Sequence, residues 1–287
     1  MATYGYAGKI LRADLSSGRA SDVSTLDYSG RFLGGRGIAA KIYWDEVPPE
    51  VGPFDAENLL VFITGPLCGV PAIGGSRWEV CGKGPGNPPR FSYGNLGGRW
   101  GAALKFAGYD GVIVQGKLEK PVYLFIHDDT VEFRDASGLW GKGAIEAREA
   151  LKSELGSSVK VVAIGPAAEN LAVMATLLAD NDASGSGGLG AVMGSKKLKA
   201  IVVKEGREGV KIAQPDKLRE LTAHYRDLRR CFPTDGWEYL SRWSRDPTSE
   251  PRLMPGPEMK KEPCYGCLGR CARKVYVSGD GKKGKFI

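Results

Sequence analysis

Glycine-rich loops are the feature that most constrains how this chain folds. The sequence of 287 residues contains 41 glycines, about twice the usual share of roughly 7%. Three loops concentrate them: Gly74-Gly75-Ser76-Arg77, Gly94-Asn95-Leu96-Gly97-Gly98-Arg99 and Gly185-Ser186-Gly187-Gly188-Leu189-Gly190. Backbone N–H groups in such loops can reach phosphate oxygens, and Arg77 or Arg99 can add a bidentate clamp. One loop alone indicates a tight structural turn, but three together indicate an extended, phosphate-bearing ligand.

Neither common nucleotide-binding motif explains these loops. The third loop matches G-x-G-x-x-G, but polar residues 181–184 precede it where a dinucleotide fingerprint requires a strand. A Walker-type loop also fails, because Ser195 stands before Lys196 where that motif requires glycine. The two histidines, His127 and His224, lack the spacing of a metal pair, and no carboxylate pair stands out for acid–base chemistry. The sequence leaves the catalytic residues unknown.

Composition and charge argue against several classes of protein. The net charge is +7, but no arginine-rich arm or recognition helix indicates nucleic-acid binding. The N-terminal residues form no apolar signal segment, and no apolar run reaches membrane-spanning length. Six cysteines do not indicate a disulfide scaffold in a chain of this size. We expect a cytoplasmic protein that contacts neither nucleic acid nor membrane.

Hydrophobic patterns predict an α+β region followed by a mostly helical one. A helix is predicted over Gly143–Leu155, and strands over residues 9–15, 59–64, 111–115, 122–127, 131–134, 159–164 and 198–203. After residue 205 an amphipathic helix is predicted at Asp216–Arg230, and no strong strand follows until Lys274–Val277. Strands and helices do not alternate regularly enough for a doubly wound sheet. We therefore predict an α+β ligand-binding domain over residues 1–205 and the start of a mostly helical domain over residues 206–287.

Three cysteines close together form the sharpest local signal. Cys264, Cys267 and Cys271 make a C-x2-C-x3-C run, and thiolates at this spacing can bind three corners of a [4Fe–4S] cluster. Zinc is the main alternative, but a structural zinc site requires four protein ligands and no cysteine or histidine follows Cys271. The radical S-adenosylmethionine motif has the reverse spacing and is disfavoured. Buried apolar environments are predicted for the other three cysteines, Cys68, Cys81 and Cys231.

The loops and the cysteine run, in this order, resemble the aldehyde ferredoxin oxidoreductase family. The resemblance extends from the N-terminus through Cys271. It rests on Arg31–Lys41 (RFLGGRGIAAK), Gly94–Asp110 (GNLGGRWGAALKFAGYD), Asp135–Gly141 (DASGLWG), Ile164–Asn170 (IGPAAEN) and Gly188–Ile201 (GLGAVMGSKKLKAI). The family implies an N-terminal α+β domain that holds two molybdopterins around one tungsten or molybdenum. It also implies helical domains that supply iron–sulfur ligands and the substrate pocket.

The resemblance implies roles for individual residues as well. Contacts to the pterins are implied by position for Arg77, Asn95, Gly97, Asp182, Ala183 and Gly185. Three ligands of a [4Fe–4S] cluster are implied likewise for Cys264, Cys267 and Cys271. Backbone oxygens of Asn95 and Ala183 would bind a magnesium ion that bridges the pterin phosphates, because this hard cation prefers oxygen ligands.

The sequence also departs from the family pattern. Members with aldehyde activity tend to carry arginines in the loop that here begins with Asp182, and a carboxylate near phosphates is unfavourable unless a cation or hydrogen bonds offset it. This puts a direct contact by Asp182, and aldehyde chemistry with it, in doubt. Residues 44–51 (WDEVPPEV) and 142–146 (KGAIE) favour the branch that contains the catalytic subunit of class II benzoyl-coenzyme A reductase.

The resulting hypothesis is the N-terminal part of an iron–sulfur pterin oxidoreductase that acts on an aldehyde, a carboxylate or an aromatic acyl substrate. Ferredoxin or another iron–sulfur subunit would exchange electrons with it, and a C-terminal partner chain or a homodimer would complete it. This part alone is expected to be inactive, with a labile cluster, and a selenocysteine codon read as a stop after Ile287 is one hypothesis for its end. Two alternatives stay open, namely a non-catalytic cofactor-binding or electron-transfer subunit and a zinc-stapled structural protein.

Overall fold

Two six-stranded mixed sheets make up most of the fold. The computed structural model describes residues 4–71, 74–127, 130–180, 183–206, 209–231, 258–261, 264–267, 272–277 and 283–286. The first sheet has the order β2-β1-β6-β3-β4-β5. Its strands are β1 (Lys9–Asp14), β2 (Arg19–Ser24), β3 (Leu60–Thr64), β4 (Trp78–Gly84), β5 (Arg90–Leu96) and β6 (Gly111–Gln115). Strand β1 runs parallel to β6, and the other neighbours are antiparallel.

The second sheet has the order β11-β10-β9-β12-β7-β8. Its strands are β7 (Val122–His127), β8 (Thr130–Asp135), β9 (Lys160–Ala163), β10 (Leu177–Ala179), β11 (Ser184–Gly185) and β12 (Leu198–Val203). Strands β7 and β12 are parallel, whereas the other neighbours are antiparallel. Neither sheet is doubly wound, as the irregular order of elements in the sequence predicts.

The described part of the chain also contains seven helices, of which α3 and α6 contact strands of both sheets. They are α1 (Leu26–Phe32), α2 (Arg36–Glu46), α3 (Trp100–Phe106), α4 (Ala144–Leu155), α5 (Pro166–Glu169), α6 (Leu189–Ser195) and α7 (Pro215–Cys231). None of these helices is long and apolar enough to cross a membrane.

The main core lies between the two sheets. Phe62, Trp78 and Trp100 are buried at its centre, and the two indole rings lie 4.5 Å apart. A second core forms where α2 packs on the outer face of the first sheet, with Cys81 of β4 among its residues. Successive side chains of a strand point to opposite faces, so β4 sends Trp78 and Val80 into the main core and Glu79 and Cys81 toward α2.

The α+β fold predicted for the first part of the chain is confirmed, and each strand and helix predicted there is present to within a residue or two. Four strands of the two sheets were not predicted, namely β4, β5, β10 and β11, and β4 and β5 carry the first two glycine-rich loops at their ends. The helices α1, α2, α3, α5 and α6 were not predicted either. After residue 206 the described residues hold α7 and a three-stranded sheet of β13 (Glu258–Lys261), β14 (Ala272–Val277) and β15 (Lys283–Phe286). A mostly helical domain is not shown by these residues, and the boundary near residue 205 stays a prediction.

Candidate functional site

A hairpin of β4 and β5 brings predicted pterin-contact residues together. Glu79 pairs with Asn95 across the hairpin, and Arg77 lies just before β4. Arg77 Nη1 therefore reaches Asn95 and donates a hydrogen bond to its Oδ1 at 3.3 Å. From the opposite face, Trp78 Nε1 donates to the carbonyl oxygen of Gly97 at 3.0 Å. The buried indole thus ties the end of β5 to the core and fixes the loop that follows it.

Gly97 lies against the first cysteine of the C-x2-C-x3-C run. A Cβ atom at Gly97 would lie 3.1 Å from Cys264 Sγ, which is tighter than an ordinary van der Waals contact. Two backbone hydrogen bonds of 2.9 Å hold the cysteine segment there, from Tyr265 N to Gly98 O and from Gly74 N to Gly266 O. The first and second glycine-rich loops and the cysteine run therefore meet at one place, although they are far apart in sequence.

Cys264 and Cys267 lie in one turn. The N–H of Cys267 donates to the carbonyl oxygen of Cys264 at 3.2 Å, and both side chains are half-buried and outside any disulfide. Cys271 lies outside the described residues. Among the residues that are described, no group of three or more His, Cys, Asp or Glu side chains is placed to hold a metal. The structure thus brings together two of the three predicted cluster ligands and leaves the third as a prediction.

Two of the isolated cysteines are buried, as predicted. Cys68 is 2% exposed and Cys81 is 0% exposed. Burial raises the pKa of the Cys68 thiol to about 12, and burial also raises the pKa of Cys81. Both thiols therefore stay protonated and are poor metal ligands. Cys231 ends α7, and its side chain lies outside the described residues.

The third glycine-rich loop packs against the opposite face of the hairpin. A Cβ atom at Gly94 would lie 2.9 Å from Gly185 Cα, and one at Gly185 would lie 3.0 Å from Val80 Cγ1. Val80 faces the main core, whereas Arg77 projects from the other side of the strand. Gly185 and Arg77 therefore flank the hairpin from two sides, and glycine is required where the two backbones touch.

One predicted magnesium ligand, the backbone oxygen of Ala183, already takes part in a hydrogen bond within the protein. The carbonyl oxygen of Ala183 accepts a hydrogen bond from Ala179 N at 2.8 Å. A carbonyl oxygen has two lone pairs, so one is left for a cation. Asp182, predicted from the same loop, lies outside the described residues, so its role stays a prediction.

Helix α6 begins at Leu189, within this loop, and close packing explains several of the loop's glycines. Gly188 has φ +71°, which an L side chain rarely adopts. A Cβ atom at Gly190 would lie 2.5 Å from the carbonyl oxygen of Thr176. The third loop is therefore also a structural turn that lets α6 lie close to the preceding chain.

Arg36 and Glu79 belong to the same surface, and no motif in the sequence singled out either residue. Glu79 is 9% exposed, and its Oε1 lies 3.6 Å from Arg36 Nη2. The guanidinium of Arg36 lies 3.6 Å from the centre of the Tyr93 ring. Burial raises the pKa of Glu79, while Arg36 and Arg77 act in the opposite direction. The one signal that could have found Arg36 is its place in the RFLGGRG stretch, which carries part of the family resemblance.

This arrangement places two cysteine thiols beside a glycine-lined surface that carries charged hydrogen-bond donors. The chain belongs to the aldehyde ferredoxin oxidoreductase family. Residues 10–205 match the family described as "Aldehyde ferredoxin oxidoreductase, N-terminal domain".

Relatives of known description agree with this family. The chain is 36% identical over 312 residues to a tungsten-containing aldehyde ferredoxin oxidoreductase of Pyrococcus abyssi, which covers 97% of this chain and 50% of the relative. It is 45% identical over 220 residues to the enzyme of the same description from Thermococcus kodakarensis, covering 75% of this chain and 36% of the relative. A solved structure described as the active site complex BamBC of benzoyl coenzyme A reductase with 1,5 dienoyl-CoA contains a similar chain. That similarity has a TM-score of 0.76 at 40% identity and covers 88% of this chain and 37% of the other.

The chain spans half or less of the length of these relatives. The residues present fit both parts of a pterin and iron–sulfur site. Arg77 is exposed and uses one donor on Asn95, so most of its five N–H donors are left for an anionic ligand. Gly97 and Gly94 keep the surface of the hairpin free of side chains where other backbone or sulfur comes close. Cys264 and Cys267 would supply two of the predicted cluster ligands from a single turn.

Proposed function

We propose that this chain is the cofactor-binding part of a pterin oxidoreductase that uses tungsten, or molybdenum in its place, and that contains a [4Fe–4S] cluster. The full-length protein acts on an aldehyde or carboxylate, or on an aromatic acyl substrate. Once bound, the metal–pterin group supplies two-electron chemistry, and the cluster supplies electrons one at a time. The protein positions the two cofactors, supplies charged groups around them and excludes water from the site.

The observation that carries this proposal is the contact between Gly97 and Cys264. Gly97 lies two residues after Asn95 in the loop predicted to hold the pterin, and Cys264 is a predicted cluster ligand. A Cβ atom at Gly97 would lie only 3.1 Å from Cys264 Sγ. A pterin on this loop and a cluster on this sulfur would therefore be close neighbours, as electron exchange between them requires. A zinc-stapled structural protein has no need of such a contact.

Individual side chains take definite tasks in this proposal. Arg77 donates charge-assisted hydrogen bonds to a pterin phosphate, and Asn95 holds the guanidinium in place through Oδ1. Backbone oxygens of Asn95 and Ala183 would hold a magnesium ion, and the charge of this cation would offset that of Asp182. Gly185 allows the third glycine-rich loop to approach the hairpin. Cys264, Cys267 and Cys271 are the cluster ligands.

The proposal includes two substrate classes, aldehydes or carboxylates and aromatic acyl compounds, because the relatives have different descriptions. The relatives from Pyrococcus abyssi and Thermococcus kodakarensis are described as tungsten-containing aldehyde ferredoxin oxidoreductases, whereas one similar solved structure is described as the active site complex of a benzoyl coenzyme A reductase. Ferredoxin or another iron–sulfur subunit is the proposed electron partner. A second polypeptide or a second copy completes the assembly, as the description of the BamBC complex indicates for that relative.

Metal analysis of protein produced anaerobically with tungstate and molybdate tests this proposal. Tungsten or molybdenum together with iron and pterin is expected in the wild-type chain. Cys264→Ser should lower iron, while Cys81→Ser serves as the matched control because that thiol is buried beneath α2 and is not a predicted cluster ligand. Zinc alone, with no pterin, would contradict the proposal.

A further inference from the structure

Arg99 ends the second glycine-rich loop and has no part in the function proposed above. Its neighbours Gly98 and Trp100 are buried, whereas Arg99 is exposed. In the described part of the chain its guanidinium makes no hydrogen bond and no ion pair. The sequence allows Arg99 as a phosphate clamp, but in the structure it is Arg77 that reaches across the hairpin to Asn95. The charge of Arg99 therefore has no assigned role.

The backbone places Arg99 beside the cysteine turn. A Cβ atom at Gly97 would lie 3.1 Å from Cys264 Sγ, and the carbonyl oxygen of Gly98 accepts a hydrogen bond from Tyr265 N at 2.9 Å. Consecutive Cα atoms lie about 3.8 Å apart, so Arg99 Cα is within roughly 8 Å of Gly97 Cα. The side chain of Arg99 therefore extends from a segment of backbone that contacts a predicted cluster ligand.

Tyr265 keeps this arginine and the cysteine turn together. Its ring packs edge-on against Phe106 of α3, with the ring centroids 5.4 Å apart, and Arg99 is the N-cap residue of the same helix. Burial and the charge of Glu205 raise the pKa of Tyr265, whereas the charge of Arg99 opposes that rise. The positive charge of Arg99 thus acts on a residue that lies between the two cysteines in the sequence.

The other charged groups around the turn have partners. Glu205 lies 3.8 Å from Lys160, which offsets its negative charge. Arg77 also reaches the turn, but its guanidinium bonds Asn95 and is proposed to hold a pterin phosphate. Among the described residues around the turn, Arg99 therefore supplies a positive charge that no anionic group of the protein balances.

We propose that Arg99 raises the reduction potential of the [4Fe–4S] cluster by placing this positive charge beside it. Reduction adds one electron, and so one negative charge, at the cysteine turn, and a guanidinium close by stabilises the reduced form more than the oxidised form. Net charge is one of the factors that set the potential of an iron–sulfur cluster. The inference rests on the proposed function through Cys264 and Cys267, and it gives Arg99 a role in electron transfer rather than in phosphate binding.

Redox titration of the anaerobically purified holoprotein with dithionite tests the inference, with the EPR signal of the reduced cluster as the readout. Arg99→Met should lower the equilibrium constant for one-electron reduction about three- to tenfold, where tenfold equals a fall of about 59 mV in the midpoint potential. Arg99→Lys keeps the charge and should have a potential close to that of the wild type. Arg19→Met is the matched control, because β2 and β5 are at opposite edges of the first sheet.

Ionic strength separates an effect of charge from an effect of structure. Because Arg99 is exposed, salt should screen its charge, and the Debye length falls from roughly 30 Å at about 10 mM to roughly 3 Å at about 1 M. The difference in potential between the wild type and Arg99→Met should therefore shrink over this range. A difference that is the same at both salt concentrations would overturn the inference, because a rearranged cluster site would give it.

Equal potentials in the wild type and in Arg99→Met would also overturn the inference, as would a loss of pterin from Arg99→Met without any change in potential. Thermal melts detect unfolding, and Arg99→Gln provides a second neutral variant if the methionine variant does not fold. Wild-type protein that carries tungsten or molybdenum, pterin and iron, but whose potential does not depend on Arg99, retains the proposed function and loses this inference. Wild-type protein without pterin and without a reducible cluster contradicts the proposed function, and this inference with it.

Discussion

The sulfur of Cys264 lies where a side chain at residue 97 would point, 3.1 Å from a Cβ atom placed on Gly97. The predicted contact with the pterin explains the glycine at position 97, because a ligand can approach the backbone closely only where there is no side chain. The structure supplies a second reason within the protein itself. Any side chain at this position presses on a predicted cluster ligand. The loop predicted to hold the pterin and the segment that carries Cys264 therefore both require a residue without a Cβ atom at position 97.

Substitution of Gly97 should therefore affect iron as well as pterin. Gly97→Ala requires Cys264 to move by a few tenths of an ångström and should retain part of the iron, whereas Gly97→Val should lose most of it. Iron and pterin per chain are measured after anaerobic purification and gel filtration. Gly138→Val is the control, because nothing lies within 4 Å of a Cβ atom there. Equal iron in the alanine and valine variants would contradict the contact.

Thiol reactivity should divide the cysteines into two groups. Burial raises the pKa of Cys68 to about 12, so its thiolate fraction near pH 8 falls roughly a thousandfold below that of an ordinary thiol with a pKa of about 8.5. In cluster-free protein iodoacetamide should modify Cys264 and Cys267 and leave Cys68 and Cys81 intact. Mass spectrometry of peptides taken over time measures this. Early modification of Cys68 in folded protein would refute the buried placement.

Elements whose sequence pattern follows from burial could be predicted. β3 (Leu60–Thr64) is buried along its whole length, and such strands read as continuous apolar runs. The helix α4 (Ala144–Leu155) buries Ala147 and Leu151 on one face, at the spacing that identified it. In these elements local pattern and tertiary environment agree, so the sequence is sufficient.

Strand β4 shows why part of the fold was missed. It contains Glu79 and Lys83, yet all seven of its residues are buried. The amine of Lys83 donates to the carbonyl oxygens of Pro49 at 2.9 Å and Val51 at 2.5 Å. These partners belong to a loop that precedes β3, so nothing local to β4 shows that its charges are compensated. A pattern of charged residues and glycines therefore looks like a loop.

The candidate site could be predicted in its parts but not in its assembly. The glycine loops and the cysteine run each carry a local signal. Their meeting at Gly97 and Cys264 depends on backbone bonds between distant segments, such as Tyr265 N to Gly98 O at 2.9 Å. The pairing of Arg36 with Glu79 likewise requires α2 to lie on β4. No spacing along the chain reports such contacts.

Lys196 should make stability depend on pH in the alkaline range. Its amine is buried and donates to the carbonyl oxygens of Ala56 at 3.1 Å and Gly116 at 3.0 Å, and burial lowers its pKa from 10.5 to about 8. Between these two values the unfolded chain binds more protons than the folded one, so the free energy of unfolding rises with pH. Below the pKa of Lys196 in the folded chain, the buried charge lowers the free energy of unfolding by its full amount.

The variant Lys196→Met isolates this effect. Relative to the variant, the wild-type chain should gain up to about 3 kcal/mol in the free energy of unfolding as the pH rises through this window. Urea denaturation of both proteins at several alkaline pH values measures the difference, and other titrating groups cancel. A difference that stays constant with pH would show that the lysine titrates normally.

Arg77 should be the side chain on which cofactor retention depends most. It is exposed and held by Asn95 Oδ1 at 3.3 Å, so little protein structure depends on it. Arg77→Ala removes a charge-assisted hydrogen bond worth roughly 1.5–3 kcal/mol and should lower pterin retention by about ten- to a hundredfold. Pterin retention in Arg77→Lys should fall between that of the wild type and that of Arg77→Ala, because an ammonium keeps the charge but loses the bidentate geometry. Pterin and tungsten per chain are measured after gel filtration, with Arg19→Ala on the exposed strand β2 as control. Unchanged content in Arg77→Ala, with an unchanged melting temperature, would show that the guanidinium does not touch the cofactor and that the phosphates lie elsewhere on the hairpin.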